Sequence, residues 1–418
     1  MTTASEQWQG LRMPKSTPWL RDSPGAVFSL FREHVGGLTK SEVVRLTGLS
    51  RTAISSRVDA LTDRGFLVAQ TNDSPEGRGR PAERFVLNPG RGVFLVADTG
   101  ATGMRAGLFD AAGTLMDEMY EAFDIASGPE VILARVDARF VELLSRTGVD
   151  PARVLGIGID LPGPVDQTLR RVIRPPIMPG WHNFDIPGYF QRTYDCPVIV
   201  EKDTNAMAFG EHRKQYPEIG ELVFVKLGTG VGTGLIVRGD LYRGADGAAG
   251  DIGHIPVAGD HRTEPPRCRC GNVGCVEAYA GGWALARDLS AAGYPASSIN
   301  DVITAVRSGN EVARELVRRA SQIIGEAVSD IVHMVNPRVV VFGGQLAELD
   351  EIVLATVREV IYGRALPLAT RNLQVTSMGI DDPGVYGLAE LVADEVFSIA
   401  SIDSVLLFPG RSSIRAAR

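Results

Sequence analysis

An α/β body behind a small helical head is the fold class that this sequence predicts, and three observations predict it. Between residues 38 and 65 two helix starts follow each other in close succession. From residue 92 onward, strand-like runs that break on glycine alternate with long helical stretches, the pattern of an α/β domain. Charge divides at the same boundary: residues 1–90 hold 12 Lys and Arg against 9 Asp and Glu, and the remainder holds 31 against 41. A mildly basic head on an acidic body is expected where only one domain meets nucleic acid.

A chain of 418 residues, 44% hydrophobic, is long enough for two or three domains with real cores. No run approaches the roughly eighteen consecutive apolar residues of a membrane span. The first residues, MTTASEQWQGLRMPKSTPWL, lack the charged start and apolar centre of a signal peptide. Four cysteines, three of them adjacent, make no disulfide framework, so a reducing cytoplasm is expected and a membrane partner is not. Residues 1–22 and 403–418 read as loosely ordered tails.

In the head, LTKSEVVRLTGLSRTAISSRVDALTDRGFLVAQ opens with Thr39 and Glu42 spaced as a capping box. A helix is expected from Lys40 to Gly48. Ser50 then caps a second helix, in which Ile54, Val58 and Leu61 recur as a buried stripe, and Gly65 closes it. The opposite face carries Thr52, Ser55, Ser56 and Asp59, with Arg51 in the first turn. Small hydroxyl residues at the leading end of such a helix let it enter a major groove. Two β-leaning runs follow, around a turn holding Arg78, Arg80 and Arg84; this reads as a wing whose arginines reach phosphates or a minor groove. Residues 23–90 are thus expected to form a winged helix-turn-helix that binds operator DNA, with Arg51, Thr52, Ser55, Ser56, Arg78 and Arg80 as its contacts.

In the body, VFLVADTGATGMRAGLFD is a hairpin with Asp98, Gly100 and Thr102 near its tip. VLGIGIDLPGPVD is a buried run, and LVFVKLGTGVGTGLIV a second hairpin around Gly228, Thr229, Gly230, Gly232 and Gly234. RVVVFGGQL is a strand that ends on Gly343 and Gly344. Glycine hairpins facing each other across a cleft can cradle the phosphates of a nucleotide, with an Asp such as Asp98 holding Mg2+. As a set in this order they resemble the two-lobed fold of sugar kinases, actin and heat-shock ATPases.

Residues 268–277, CRCGNVGCVE, place Cys268, Cys270 and Cys275 in one tight loop, which Gly271 and Gly274 allow to curl. Thiolates in a reducing compartment select zinc, and a structural zinc site takes four ligands. Cys196, in the apolar run CPVIV, reads as a small buried residue. The fourth ligand is His254 or His261, with His254, in GDIGHIPV, the better placed.

The body resembles the ROK family (repressor, open reading frame, kinase) from about residue 92 to 400, on ADTGATGMRAGLFD, GIDLPGPVD, VIVEKDTNAMAFGE, LGTGVGTGLI, GDIGHIPV, CRCGNVGCVE and VVVFGG. A helix-turn-helix in front resembles the family's sugar-responsive repressor branch. The resemblance implies a small lobe over residues 92–202 plus 384–402, and a large lobe with the zinc loop over 203–383. It also implies an oligomer, expected here as a homodimer or higher homo-oligomer. Asp203 takes the place of the kinase base, and Asp251, His254 and Glu277 bind a sugar, sugar phosphate or sugar acid. His254 is then shared between zinc and sugar. ATP and Mg2+ enter only if kinase activity is retained.

The departures carry information too. Lys202 stands where the family has Asn, and an ammonium there keeps a neighbouring carboxylate ionised, weakens it as a base and favours an anionic ligand. Asp251 is one carbon shorter than the family's Glu. Ala101, Thr233 and Gln345 interrupt glycine runs at three loops, and each side chain is expected to intrude where backbone approaches phosphate.

Overall fold

The structure, a computed structural model, describes residues 22–70, 83–257 and 264–407. The wing positions Arg78 and Arg80, and the alternative ligand His261, lie outside the described residues. The chain forms two compact units, residues 1–91 with 394–418, and residues 92–393.

The head opens with α1 (Pro24–Glu33), capped by the Ser23 hydroxyl. β1 (Leu38–Thr39) leads into α2 (Lys40–Thr47), which begins at the Thr39–Glu42 capping box and ends on Gly48 at φ 72°. Ser50 caps α3 (Arg51–Asp63), which buries Ile54, Val58 and Leu61 completely. β2 (Leu67–Gln70) and β3 (Arg84–Leu87) pair antiparallel, and β1 joins them in the order β1-β3-β2. Helices and wing strands therefore stand where capping and β-propensity place them.

One wing residue serves a different purpose from the one expected. Arg84 donates to the Glu42 carboxylate at 3.2 Å and to the Gly37 carbonyl, so its guanidinium ties β3 to the start of α2. It was expected to reach DNA. The cause is register: Arg84 faces Thr39 across the β1–β3 pair, beside the capping box.

The body begins with β4 (Val93–Thr99), β5 (Gly103–Asp110), β6 (Leu115–Ala122), α4 (Pro129–Thr147) and β7 (Val154–Leu161). A two-residue ribbon, β8 (Val165–Asp166) with β9 (Arg171–Val172), precedes α5 (Ile186–Phe190) and β10 (Val198–Lys202). These strands form a sheet in the order β10-β7-β4-β5-β6, and its three-strand side is parallel. α6 (Asp203–Gln215) leaves β10 without a loop.

The second sheet is built from β11 (Glu221–Leu227), β12 (Val231–Val237), β13 (Asp240–Leu241) and two further strands beyond a helical stretch. That stretch holds α7 (Val276–Ala280), α8 (Gly282–Ala291), α9 (Ile299–Arg307) and α10 (Glu311–Val335). β14 (Val339–Gly343), α11 (Val353–Arg364), α12 (Pro367–Thr370) and β15 (Gln374–Ser377) complete it, in the order β13-β12-β11-β14-β15. The alternation read from the sequence is thus an α/β body with two sheets. No described helix is long and apolar enough to cross a membrane.

α13 (Pro383–Val396) crosses α6 at glycines. A Cβ at Gly387 would lie 1.8 Å from the Ala206 carbonyl oxygen, so no side chain fits there. α14 (Ile399–Leu407) packs on α1. Phe397 stands edge-on to Phe28 at 5.4 Å and to Phe66 at 6.5 Å, Arg32 pairs with Asp394 at 2.8 Å, and the Gly25 N–H donates to Asp403 at 2.7 Å. Residues 384–393 belong to the body's compact unit, whereas these contacts hold residues from 394 on against the head, where the rest of the small lobe and then a tail from 403 were expected. Phe397 and Ile402 are buried there, and α14 is helical through Leu407. Nothing local in the sequence marks a contact with residues some 370 positions earlier.

Candidate functional site

Two hairpin tips and the start of α6 face one cavity of about 460 Å³. The β4–β5 tip closes with the Gly100 N–H donating to the Gly103 carbonyl at 2.8 Å, and the β11–β12 tip with Gly228 donating to Gly230 at 3.1 Å. Gly100, Thr102, Gly228, Thr229, Gly230 and Gly344 all line the cavity, as do Lys202, Asp203, Asp251, His254 and Glu277. Asp98 and Gly343 are not among its lining residues.

Asp203 is the first residue of α6. Its Oδ1 accepts from the Thr204 N–H at 2.7 Å, and its Oδ2 accepts from the Lys226 ammonium at 2.6 Å. The cation beside Asp203 is therefore Lys226, from β11. Lys202, expected in that place, donates instead to Asp251. Lys202 ends β10 and Asp203 begins α6, so successive side chains diverge at the strand-to-helix junction. Lys226 was missed although a signal was present: a lysine inside the apolar run VFVKLGTG needs a buried partner.

Burial raises the Asp160 carboxyl well above the usual carboxylate range, and the neighbouring Asp98 and Asp203 raise it further. Asp98 is raised as well, by burial and by Asp203, while Lys226 opposes the shift. Burial works against the Lys226 ammonium, yet Asp203 and Asp98 hold it charged, above the ordinary lysine value.

Glu277, on α7, accepts from the Val231 N–H at 3.1 Å and from the Trp283 indole at 3.3 Å. A Cβ at Gly230 would meet its Oε2 at 2.4 Å, so a side chain there would push the carboxylate out of its present place. Of the three residues expected to intrude on a phosphate, Ala101 and Gln345 line the cavity and Thr233 does not. Its buried hydroxyl donates to the Gly250 carbonyl at 2.6 Å.

His254 ends a short 3-10 turn, Ile252–His254, and Gly271 and Gly274 take φ of 97° and 75° to curl the cysteine loop beneath it. Nδ1 of His254 lies 3.7 Å from Sγ of Cys268, and the sulfurs of Cys270 and Cys275 are 3.8 Å apart. All four donor atoms fall within 4.8 Å of one another. Ligands at about 2.0–2.3 Å from a tetrahedral ion stand about 3.3–3.8 Å apart, so this set can close on one metal. Burial and the neighbouring sulfurs push the Cys275 thiol up to about 12, which is the cost of crowding thiolates unless a divalent ion balances them. Nδ1 faces the sulfurs, and the ring lines the cavity.

In the head, Arg51, Thr52 and Ser56 are exposed on α3. Ser55 is half-buried, its hydroxyl donating to Asp59 at 3.1 Å and accepting from Lys40 at 3.1 Å.

A model of the ROK family matches residues 95–395, and a model of the IclR helix-turn-helix domain matches residues 25–71. A xylose repressor of Caldicellulosiruptor bescii is 25% identical over 376 residues, which cover 86% of this chain and 93% of that protein. A glucokinase of Thermotoga maritima is 27% identical over 324 residues, 72% of this chain and 98% of the relative. A ROK family transcriptional regulator, described as a homologue of the E. coli MLC protein, shares the fold with a TM-score of 0.76 at 22% identity, over 92% of this chain and 98% of its own.

Proposed function

The chain belongs to the ROK family, and from that premise we propose that it is a sugar-responsive DNA-binding transcriptional regulator, a repressor whose body takes a sugar and whose head reads an operator. One observation carries the reading: a helix-turn-helix match and a ROK match lie on one chain that is similar, over most of its length, to a xylose repressor. The sugar contacts are Asp203, Asp251, His254 and Glu277, gathered around one cavity. Zinc is the ion for the Cys268, Cys270, Cys275 and His254 set, since soft thiolates select it. The working form is a homodimer in the cytoplasm, because paired half-sites demand two heads.

Lys202 is neutralised by Asp251, so the effector is a neutral sugar rather than a sugar acid or phosphate; xylose and glucose, after the names of the relatives, head the panel. Effector binding is expected to weaken operator affinity by about 5- to 150-fold, a coupling of about 1–3 kcal/mol. Fluorescence anisotropy on operators selected from a random library measures it. Affinity unchanged across sugars and sugar phosphates defeats the reading.

Base recognition is assigned to the exposed end of α3. Arg51→Ala is expected to lose about 1–3 kcal/mol of discrimination at one base position. Arg84→Ala should lower the melting temperature of the head and leave base preference intact. The same library selection separates them.

A second reading, an ATP-dependent sugar kinase, is favoured by the retention of Asp203 on the cavity wall. ADP release with hexoses that vanishes in Asp203→Asn would make the protein an enzyme.

A further inference from the structure

Three carboxylates gather at the ends of three neighbouring parallel strands. Asp98 on β4 stands opposite Asp160 on β7, and Asp203 follows β10, whose Glu201 is also opposite Asp160. Asp160 is fully buried, and its Oδ1 accepts from the Thr99 N–H at 2.8 Å. Carboxylates gathered in this way raise one another's proton affinity, and a cation among them relieves the repulsion.

The cation comes from the other sheet. Lys226 follows Phe224 on the face of β11 turned toward α6, and its ammonium lies 2.6 Å from Asp203. Asp98 and Asp160 act on the same charge. Its Cε lies 3.8 Å from the position of a Cβ on Gly228, so the ammonium emerges beside the hairpin tip that would meet a nucleotide's phosphates. Mg2+ demands about six oxygens at roughly 2.0–2.1 Å, some of them carboxylate. An ammonium tethered to the protein and seated among those oxygens holds them at a high effective concentration. It also engages Oδ2 of Asp203, whose other oxygen takes the Thr204 N–H, and an ion pair of this kind makes a carboxylate a weaker base.

We propose that Lys226 is the resident cation of the cleft floor, occupying the place of a divalent metal among Asp98, Asp160 and Asp203, so that the cleft does not take a metal-nucleotide and Asp203 is a counter-ion rather than a base. Lys226 holds this place whatever the effector or the operator, and a metal titration reads it without DNA or sugar.

The test is Mn2+ binding to the full-length, zinc-loaded protein, followed by the electron paramagnetic resonance signal of free Mn2+. Lys226→Met keeps the aliphatic stem and removes the charge. This variant is expected to bind one Mn2+ per chain at least about tenfold more tightly than the wild type, and Lys226→Met/Asp98→Asn to lose it again. A Lys226→Met protein with wild-type melting and circular dichroism that binds no Mn2+ overturns the proposal. The wild type decides independently if that variant does not fold. Its affinity for a non-hydrolysable ATP analogue should be the same with and without Mg2+, and a Mg2+-dependent gain of about tenfold overturns the proposal.

Discussion

Replacing Phe397 with alanine is expected to destabilise the head by about 3–5 kcal/mol and to abolish operator binding at growth temperature. Phe397 is 5% exposed and closes an aromatic trio with Phe28 and Phe66. Its removal deletes a large buried side chain and two edge-to-face contacts, each worth about 0.5–1.5 kcal/mol beyond burial. A domain of this size holds only about 5–15 kcal/mol in all, so the loss is a large share. Differential scanning calorimetry should show the head's transition falling while that of the body stays in place. Asp403→Ala should move the same transition by less, since it removes one carboxylate that accepts from the α1 N-terminus. A head transition unmoved by Phe397→Ala would mean that the C-terminal segment is not part of its core.

The second large effect concerns the thiol cluster. The purified protein is expected to hold about one zinc per chain, and Cys270→Ser to hold none, by metal analysis. Four converging ligands become three, and the variant is left with a loop whose turn, Gly271 N–H to the Cys268 carbonyl at 3.1 Å, no longer has an ion to close on. Structural zinc supplies roughly 10–16 kcal/mol of apparent binding free energy in small metal domains at neutral pH. Its loss should therefore melt the loop locally and release the His254 ring. Operator binding should persist in Cys270→Ser and no longer respond to sugar, because a metal on Nδ1 would hold the rest of the imidazole toward the cavity. A zinc-free protein with full sugar response would separate the two roles of His254.

Much of this protein is legible in its sequence. The Thr39–Glu42 capping box, the Ser50 cap and the Ile54, Val58, Leu61 stripe depend on neighbours within a few residues, and short-range chemistry of that kind is written in order along the chain. The same holds for the glycine hairpins and the cysteine loop, whose spacing alone brings three sulfurs together. Lys202 shows where such reading fails. Its adjacency to Asp203 in sequence suggested an ion pair, but a strand-to-helix junction turns the two side chains apart.

Legible in the sequence were the element types, the helix-turn-helix head, the glycine hairpins and the cysteine loop of the candidate metal site. Tertiary structure alone decided which charges pair, that Thr233 turns away from the cleft, that Arg84 braces the wing, and that residues beyond 393 belong to the head. The division has one physical cause. Caps, turns and periodic faces are settled by contacts a few residues long, whereas a buried charge or a core aromatic takes whatever partner the folded chain brings to it, from any distance along the sequence.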